Sequence, residues 1–293
     1  MTERIKRGMK RRLLRWTRQT RQLSPRAYGR LVDYHIHTRL CGHARGEPED
    51  YVREALRKGL GEIGFSDHMP LLGMRNERLT MAPGELDVYV GMIRDLQASV
   101  DELRIRLGIE MDYFPGEMDE IWEAVAPYDF DYVYGSVHYI DGWGFGDSRK
   151  LSTYRGKDPD EVYARYFDLF CEAVERGGFD IMAHPDLVKK HGIGTTLPLE
   201  RLYARAADAL RAADIAVEIN TSGLRKTALE IYPALPFVEA CARRGVPITL
   251  GSDAHSPDQV GMDFDLAIDL LRRAGVRSIA TFEGRRRTMR PIT

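Results

Sequence analysis

Histidine and acidic residues recur along this 293-residue chain in short groups whose side chains could bind metal ions. The groups are D-Y-H-I-H at 33–37 followed by His43, Asp67-His68, Glu110-Met111-Asp112, His138, His184-Pro185-Asp186 and Asp253-Ala254-His255. Seven of the eight histidines belong to these groups, and only His191 lies outside them. Imidazoles suit Zn²⁺, Mn²⁺ or Fe²⁺, and carboxylates supply oxygen ligands that can bridge two cations. A single H-x-H pair is a weak indication, but the whole series predicts a metal site.

The elements that must position these groups alternate between short apolar runs and amphipathic helical stretches. The predicted strands are Leu31–His35, Glu62–Ser66, Arg104–Met111, Asp131–Val137, Phe179–Ala183, Ala216–Asn220, Pro247–Gly251 and a weaker run at Arg277–Phe282. Helices are predicted at Pro48–Leu60 and near 85–103, 116–125, 158–176, 199–213, 234–244 and 263–274. This alternation is typical of an α/β fold with a parallel sheet, and one barrel of seven or eight βα units is the simplest account.

The polar groups follow the strands at the end where α/β barrels place their catalytic residues. In an extended strand, alternate side chains share a face, so His35 and His37 both face the expected barrel mouth. The strand that ends near residue 111 places Glu110 at the same end. The sequence therefore predicts that ligands from several strands converge on one site.

Composition limits the class of protein. The chain has 43 basic and 44 acidic residues, 43% hydrophobic content and 30% charge, which indicates a soluble globular protein and excludes dominant disorder. No long apolar run or secretory signal is present, so we expect a cytoplasmic protein without a membrane partner. Cys41, Cys171 and Cys241 are too far apart for a zinc knuckle, and we expect reduced thiols rather than a disulfide framework.

Residues 1–30 form a basic N-terminal extension with eleven Arg or Lys residues and one acid. Such a segment could bind nucleic acid or anionic lipid nonspecifically. The alternatives are a solvated tail or a gene start placed too early, with Met9 or a later position as the true beginning. No recognised DNA-binding fold accompanies the charges, so we do not expect a dedicated nucleic-acid partner. Residues 31–293 are predicted to form the catalytic domain.

Seven stretches resemble the PHP (polymerase and histidinol phosphatase) superfamily and, within it, the histidinol-phosphatase branch. They are D-Y-H-I-H-T-R-L-C-G-H-A, G-F-S-D-H-M-P, G-I-E-M-D-Y-F-P-G, D-Y-V-Y-G-S-V-H-Y-I, A-H-P-D-L, E-I-N-T-S-G-L-R-K and G-S-D-A-H, and they cover roughly residues 33–283. The resemblance implies a distorted, TIM-like (β/α)7 barrel with three divalent metal ions at the C-terminal ends of the strands. It also implies that the run at Arg277–Phe282 is not a full eighth unit.

The resemblance also implies how the ligands divide among the ions. The first ion would be bound by His35, His37, Glu110 and Asp253, the second by Glu110, His138 and His184, and the third by His43, His68 and His255. Glu110 would bridge the first two ions. Their identity stays open among Zn, Mn and Fe, because such sites accept several divalent metals.

Clustered divalent metals suit phosphate-monoester hydrolysis, because a metal-bound hydroxide can attack phosphorus while the ions neutralise the phosphoryl group. The resemblance places Arg225 on the phosphate, with Lys189 or Lys190 as weaker candidates. Asp67 would orient a ligand imidazole or take part in proton transfer, with orientation favoured.

Two further pairs of residues stay ambiguous from the sequence. Glu218 and Asn220 share the inward side of their strand, and could meet a substrate ammonium group or brace the barrel. Trp143 and Phe145 follow the fourth strand, and could cover the pocket as a lid or pack in the core. The serines at strand ends and Cys41 are interpreted as structural.

The function implied by the branch is histidinol-phosphatase, which hydrolyses the small phosphate monoester L-histidinol phosphate in histidine biosynthesis. One alternative is another PHP-type phosphoesterase acting on nucleotides, sugar phosphates or nucleic-acid ends. A second alternative is a non-catalytic metal-binding or DNA-associated module. The oligomeric state is left open.

Overall fold

Seven strands form the central sheet of the computed structural model, which describes residues 28–71 and 79–292. Numbering all strands in chain order, the seven are β1 Val32–Ile36, β2 Glu62–Phe65, β3 Arg104–Asp112, β4 Tyr132–Ser136, β7 Ile181–Met182, β8 Ala216–Asn220 and β9 Ile248–Gly251. They lie in this order across the sheet, and each is parallel to its neighbour. Of the predicted N-terminal extension, only residues 28–30 fall within the described part of the chain.

The two edges of the sheet meet just beyond the end of β9. The backbone N–H of His37 donates to the carbonyl of Ala254 at 3.0 Å, and the N–H of Ala254 donates to the carbonyl of His35 at 3.0 Å. The buried carboxylate of Asp33 accepts the N–H of Ser252 at 2.8 Å across the same seam. The result is a nearly closed barrel of seven parallel strands, which confirms the predicted distorted (β/α)7 architecture.

Helices connect the strands and cover the outside of the barrel. They are α1 Pro48–Lys58, α2 Leu86–Ser99, α3 Met118–Val125, α4 Pro159–Arg176, α5 Leu199–Ala213, α6 Leu235–Arg244 and α7 Phe264–Arg273. In α1, proline and two acids occupy the first turn, and Gly59 ends the helix in the left-handed region at φ 75°. The predicted stretches agree except that α2 stops four residues early, where Val100 is already extended.

Three tyrosines fill the barrel interior beneath the mouth: Tyr34 from β1, and Tyr132 and Tyr134 from β4. The rings of Tyr34 and Tyr132 stack with their centroids 4.8 Å apart, and the Tyr132 hydroxyl donates to the Tyr34 carbonyl at 2.7 Å. Gly108 on β3 makes room for the Tyr132 ring, because a Cβ at position 108 would lie 2.3 Å from that ring. The barrel interior is thus filled by packed side chains, and the polar groups of the mouth lie directly above them.

An antiparallel hairpin, β10 Ser278–Glu283 and β11 Arg286–Pro291, covers the opposite end of the barrel. The N–H of Phe282 donates to the Tyr34 hydroxyl at 3.1 Å, and Arg290 forms an ion pair with Glu62 at 2.6 Å. Because β10 pairs with β11 and not with the barrel sheet, the run at Arg277–Phe282 is no eighth unit. A second hairpin, β5 Tyr139–Ile140 and β6 Trp143–Gly144, was not predicted. Within the described ranges, every helix is too short or too polar to cross a bilayer.

Candidate metal centre

The nine predicted metal ligands all lie at the C-terminal ends of the barrel strands or in the loops that follow. Six of them line a cavity of about 530 Å³, a volume typical of small-molecule sites: His43, His68, His138, His184, Asp253 and His255. The other three, His35, His37 and Glu110, are buried directly beneath. The structure therefore brings together residues from β1, β3 and the segments that follow β2, β4, β7 and β9.

Glu110 lies at the centre of the group. One carboxylate oxygen, Oε2, is 2.9 Å from His68 Nδ1 and 3.3 Å from His35 Nε2. The other, Oε1, is 2.9 Å from His184 Nε2 and accepts the Ser136 hydroxyl at 2.5 Å. Burial alone would raise the pKa of Glu110, but the surrounding imidazoles hold it well below its ordinary value. Glu110 is therefore an anionic group that faces ligands on both sides, as a bridging carboxylate does.

Several triplets of ligand atoms lie close enough to hold one ion, with all atoms within 4.8 Å of one another. They are His43, His68 and His255; His35, His37 and Asp253; His35, Glu110 and His184; and His37, His68 and Glu110. The first triplet is the same set that the resemblance assigns to the third ion. The next two overlap the sets assigned to the first and second ions, with His35 shared between them. His138 stands further off, with Nε2 3.9 Å from Glu110 Oε1.

Buried polar atoms at the centre of the group test whether metal ions fit. Within the described residues, His35 Nε2, His37 Nε2 and Glu110 Oε2 are shielded from solvent and form no hydrogen bond of good geometry, although Glu110 Oε2 lies 2.9 Å from His68 Nδ1 and 3.3 Å from His35 Nε2. Buried polar atoms are usually paired, so three converging lone-pair donors without such hydrogen bonds need an explanation. Divalent cations satisfy all three, and a mixed imidazole and carboxylate set is the donor chemistry that Zn²⁺, Mn²⁺ and Fe²⁺ use. The residues thus fit the ions that the sequence predicts.

Cys41 also approaches this group, because its sulfur lies within 4.8 Å of ligand atoms of His37 and His255. The thiol is buried and donates to the Thr38 carbonyl at 3.1 Å. Burial and the nearby carboxylate of Asp67 raise the pKa of the Cys41 thiol far above its ordinary value. It therefore keeps its proton at neutral pH, in agreement with the structural role expected for it.

Asp67 lies behind the ligands rather than in the cavity. Its Oδ1 is 3.3 Å from His37 Nδ1 and accepts the His68 N–H at 2.8 Å, while Oδ2 accepts the Thr38 N–H and hydroxyl. Burial opposes ionisation, but hydrogen bonds from His37 and Thr38 hold the pKa of Asp67 below its ordinary value. Because both carboxylate oxygens of Asp67 already accept hydrogen bonds, the geometry favours a role in orienting His37 over a role in proton transfer.

Asp112 has a similar contact that the sequence analysis did not assign. It lies two residues after Glu110 on β3, and its Oδ1 is 2.9 Å from His138 Nδ1 and 3.1 Å from the His138 N–H. Such carboxylate–imidazole pairs fix the ring orientation of metal-binding histidines. The strand parity that places Glu110 at the mouth applies equally to Asp112, so the signal was present in the sequence.

Of the cationic side chains predicted to bind phosphate, Arg225 lies at the cavity. Arg225, at the end of a short 3-10 helix over Thr221–Arg225, lines the cavity, and its Nη2 donates to the Ser252 carbonyl at 2.5 Å. Its buried Nη1 has no hydrogen-bond partner in the described part of the chain. Arg225 is thus anchored at the cavity wall by one nitrogen and keeps another unpaired, which leaves the guanidinium capacity to bind a phosphate.

Of the two lysines that were candidates for the phosphate, the structure places Lys190 and not Lys189 at the cavity. The ammonium of Lys189 is 2.9 Å from Asp186 and 2.9 Å from Glu230, and it does not line the mouth. Lys190 lines it, and its Nζ donates to the Gly146 carbonyl at 2.6 Å. Burial and the neighbouring charge of Lys226 lower the pKa of Lys190 to about 8. Lys189, which was predicted to bind substrate, therefore does not reach the cavity and Lys190 does, because the helical turn directs neighbouring side chains apart.

The two aromatic residues after β4 do not form a lid over the site. Phe145 is buried against Tyr166, so of the two roles considered for it, lid or core, it packs in the core. Trp143 is half-buried against Tyr154, and its indole N–H donates to the Thr153 hydroxyl at 2.8 Å. Gly144 and Gly146, the residues on either side of Phe145, line the cavity instead.

Comparison with known proteins agrees with this geometry. The family model of the PHP domain matches residues 33–222. A probable histidinol-phosphatase of Deinococcus radiodurans is 39% identical over 262 residues, which cover 89% of this chain and 99% of the relative. The histidinol-phosphatase of Bacillus subtilis is 28% identical, with 81% and 98% covered. A crystal structure of histidinol phosphate phosphatase from Lactococcus lactis, complexed with zinc, L-histidinol and phosphate, superposes with a TM-score of 0.76 at 25% identity, covering 88% of this chain and 99% of that one.

Proposed function

The chain belongs to the PHP domain family, and from this membership and the site geometry we propose that it is a histidinol-phosphatase. The reaction is hydrolysis of L-histidinol phosphate to L-histidinol and inorganic phosphate, a step of histidine biosynthesis. The observation that supports it best is the meeting of two kinds of group in one cavity. Metal-ligand triplets centred on Glu110 lie beside Arg225 and Lys190, two cations suited to the phosphate of a monoester.

Three divalent ions are the complement that we propose for the mouth. One would be held by His43, His68 and His255, one by His35, His37, Glu110 and Asp253, and one by Glu110, His138 and His184, so that Glu110 is the residue common to two of the sets. Zinc is supported as one identity by the Lactococcus lactis enzyme, whose structure is a complex with zinc, and manganese and iron stay candidates. Such ions supply a nucleophile at neutral pH and neutralise charge on the phosphoryl group.

The residues of the chain itself bind and orient the substrate. The Arg225 guanidinium and the Lys190 ammonium would hold phosphoryl oxygens from the part of the cavity wall that lies beside the ligand cluster. Asp67 and Asp112 hold the imidazoles of His37 and His138, so that the ligand set needs little rearrangement when charge develops on the phosphoryl group.

Phosphate release by purified protein tests the proposal. The substrates are L-histidinol phosphate, a nucleoside monophosphate and a phosphodiester, each with added Mn²⁺ or Zn²⁺ and with a chelator. We expect chelator-sensitive turnover that strongly prefers L-histidinol phosphate. Comparable or greater metal-dependent activity on the other two substrates would support a different PHP-type phosphoesterase instead. Metal binding without hydrolysis of any substrate would support a non-catalytic module.

A further inference from the structure

Glu218 on β8 is a fully buried carboxylate that contacts two predicted metal ligands from different strands. Its Oε1 is 2.8 Å from Nδ1 of His35, which lies on β1. Its Oε2 accepts the backbone N–H of His184, which follows β7, at 2.7 Å. The Tyr134 hydroxyl at 3.3 Å from Oε1 and the Asn220 amide at 3.0 Å from Oε2 complete the contacts. Four donors thus point at two oxygens that do not line the cavity, which excludes binding of a substrate ammonium group.

The contact with His35 determines which ring nitrogen is available to a metal. A carboxylate only accepts hydrogen bonds, so Nδ1 of His35 must be the nitrogen that donates to Glu218. The other nitrogen, Nε2, is buried and lies 3.3 Å from Glu110 Oε2, inside the ligand group. A metal-binding imidazole commonly donates its second N–H to a carboxylate in this way.

The contact with His184 acts on the backbone. His184 has a positive φ of 25°, a conformation that residues other than glycine rarely adopt and that the surroundings must stabilise. The hydrogen bond from its N–H to Glu218 is one such support. With the backbone held in this way, His184 Nε2 lies 2.9 Å from Glu110 Oε1, whereas His35 contacts the other oxygen of the same carboxylate.

We propose that Glu218 is a positioning residue that couples two of the metal sites, by setting the tautomer of His35 and the backbone conformation at His184. The inference rests on the metal centre of the proposed function and goes beyond it, because it concerns a residue that touches neither ion nor substrate. Removing the two accepting oxygens should therefore weaken metal binding even if every ligand is intact.

Glutamine is the sharpest substitution, because it keeps the shape of the side chain and replaces one acceptor by a donor. If the amide NH₂ faced His35, Nδ1 would have to accept, and the proton would move to Nε2, the nitrogen that the metal needs. If it faced His184, it would meet the His184 N–H and the Asn220 amide, two further donors. Asn220 cannot turn its amide without losing the Ser222 N–H, which its oxygen accepts at 2.9 Å. Either orientation of Glu218→Gln therefore opposes the arrangement that binds metal.

A matched control is available at the other end of the barrel. Glu62 on β2 is also a fully buried carboxylate, and it is held by Tyr34, Arg106 and Arg290. Glu62→Gln makes the same chemical change far from the mouth. A general effect of neutralising a buried carboxylate would appear in both variants, whereas a loss of metal binding is expected only from Glu218→Gln.

The experiment titrates Zn²⁺ into chelator-stripped protein against a chromophoric chelator, with metal content measured on the same samples and folding monitored by circular dichroism. We expect the affinity of at least one zinc ion to fall about 10- to 100-fold in Glu218→Gln, with the affinity of Glu62→Gln unchanged. A folded Glu218→Gln protein with wild-type affinity and stoichiometry would overturn the proposal, as would an equal loss in Glu62→Gln.

A second variant covers the case in which Glu218→Gln does not fold. Glu218→Asp keeps the carboxylate but is one methylene shorter, so it cannot reach both His35 and His184, and it should also lose zinc affinity. Wild-type affinity in folded Glu218→Asp would then refute the coupling. Because zinc is measured without substrate, wild-type protein that binds zinc but does not hydrolyse L-histidinol phosphate would refute the proposed function and leave this test in force.

Discussion

Substituting Arg225 by alanine should lower kcat/KM for L-histidinol phosphate without removing the metal ions. In the structure, Nη2 donates to the Ser252 carbonyl at 2.5 Å and Nη1 is unpaired among the described residues, so the guanidinium has hydrogen-bonding capacity left for a phosphate. A hydrogen bond to a charged group contributes about 1.5–3 kcal/mol, and about 1.36 kcal/mol corresponds to tenfold in rate. The expected loss in kcat/KM is therefore roughly 10- to 100-fold. Arg225→Lys should lose less, because it keeps the charge but not the planar fork that binds two partners at once.

The assay compares initial rates of phosphate release over a range of substrate concentrations at pH 7. Arg225 also lies 3.4 Å from the carbonyl of Asp253, a predicted ligand, so each sample needs a metal analysis to separate phosphate binding from metal loss. Arg244→Ala is the matched control, since Arg244 lies on α6 outside the cavity and pairs with Asp208. A kcat/KM for metal-replete Arg225→Ala within twofold of the wild type would refute the phosphate contact.

Three further outcomes follow from the site. Lys190→Met should raise KM for L-histidinol phosphate, whereas Lys189→Met should leave KM unchanged. Lys189→Met should instead lower the melting temperature by roughly 5–10 °C, because it removes the cation paired with buried Asp186 and so costs about 3 kcal/mol of stability. The pKa of Lys190 is lowered to about 8, so the side chain loses its charge as pH rises past that value, and the wild-type KM should increase between pH 7 and pH 9. A similar increase in Lys190→Met would contradict the assignment of Lys190 to phosphate binding. Chelation should abolish activity and lower the melting temperature, because ions that bind only the folded state stabilise it. Added Zn²⁺ or Mn²⁺ should restore both, and a melting temperature that does not change with chelator would argue against the metal centre.

The neighbouring lysines show why part of the site could not be predicted. Their order in the sequence does not say which ammonium enters the cavity, because that depends on the 3-10 turn over Leu187–Lys189 and on what surrounds each side chain. Asp186 and Glu230 surround one lysine, and the Gly146 carbonyl accepts a hydrogen bond from the other. The short strand β7 is a similar case, since it spans only Ile181–Met182 of the five residues predicted for it.

The sequence by itself indicated a barrel of seven or eight βα units, the position of the site at the C-terminal ends of the strands and the histidine and acidic side chains that meet there. These features are local, because strand periodicity decides which residues share a face and strand ends decide where they point. Only the tertiary structure decided what lies behind each ligand. Glu218 and His35 are 183 positions apart, and they meet only because the sheet curves into a barrel that brings β8 and β1 to the same mouth.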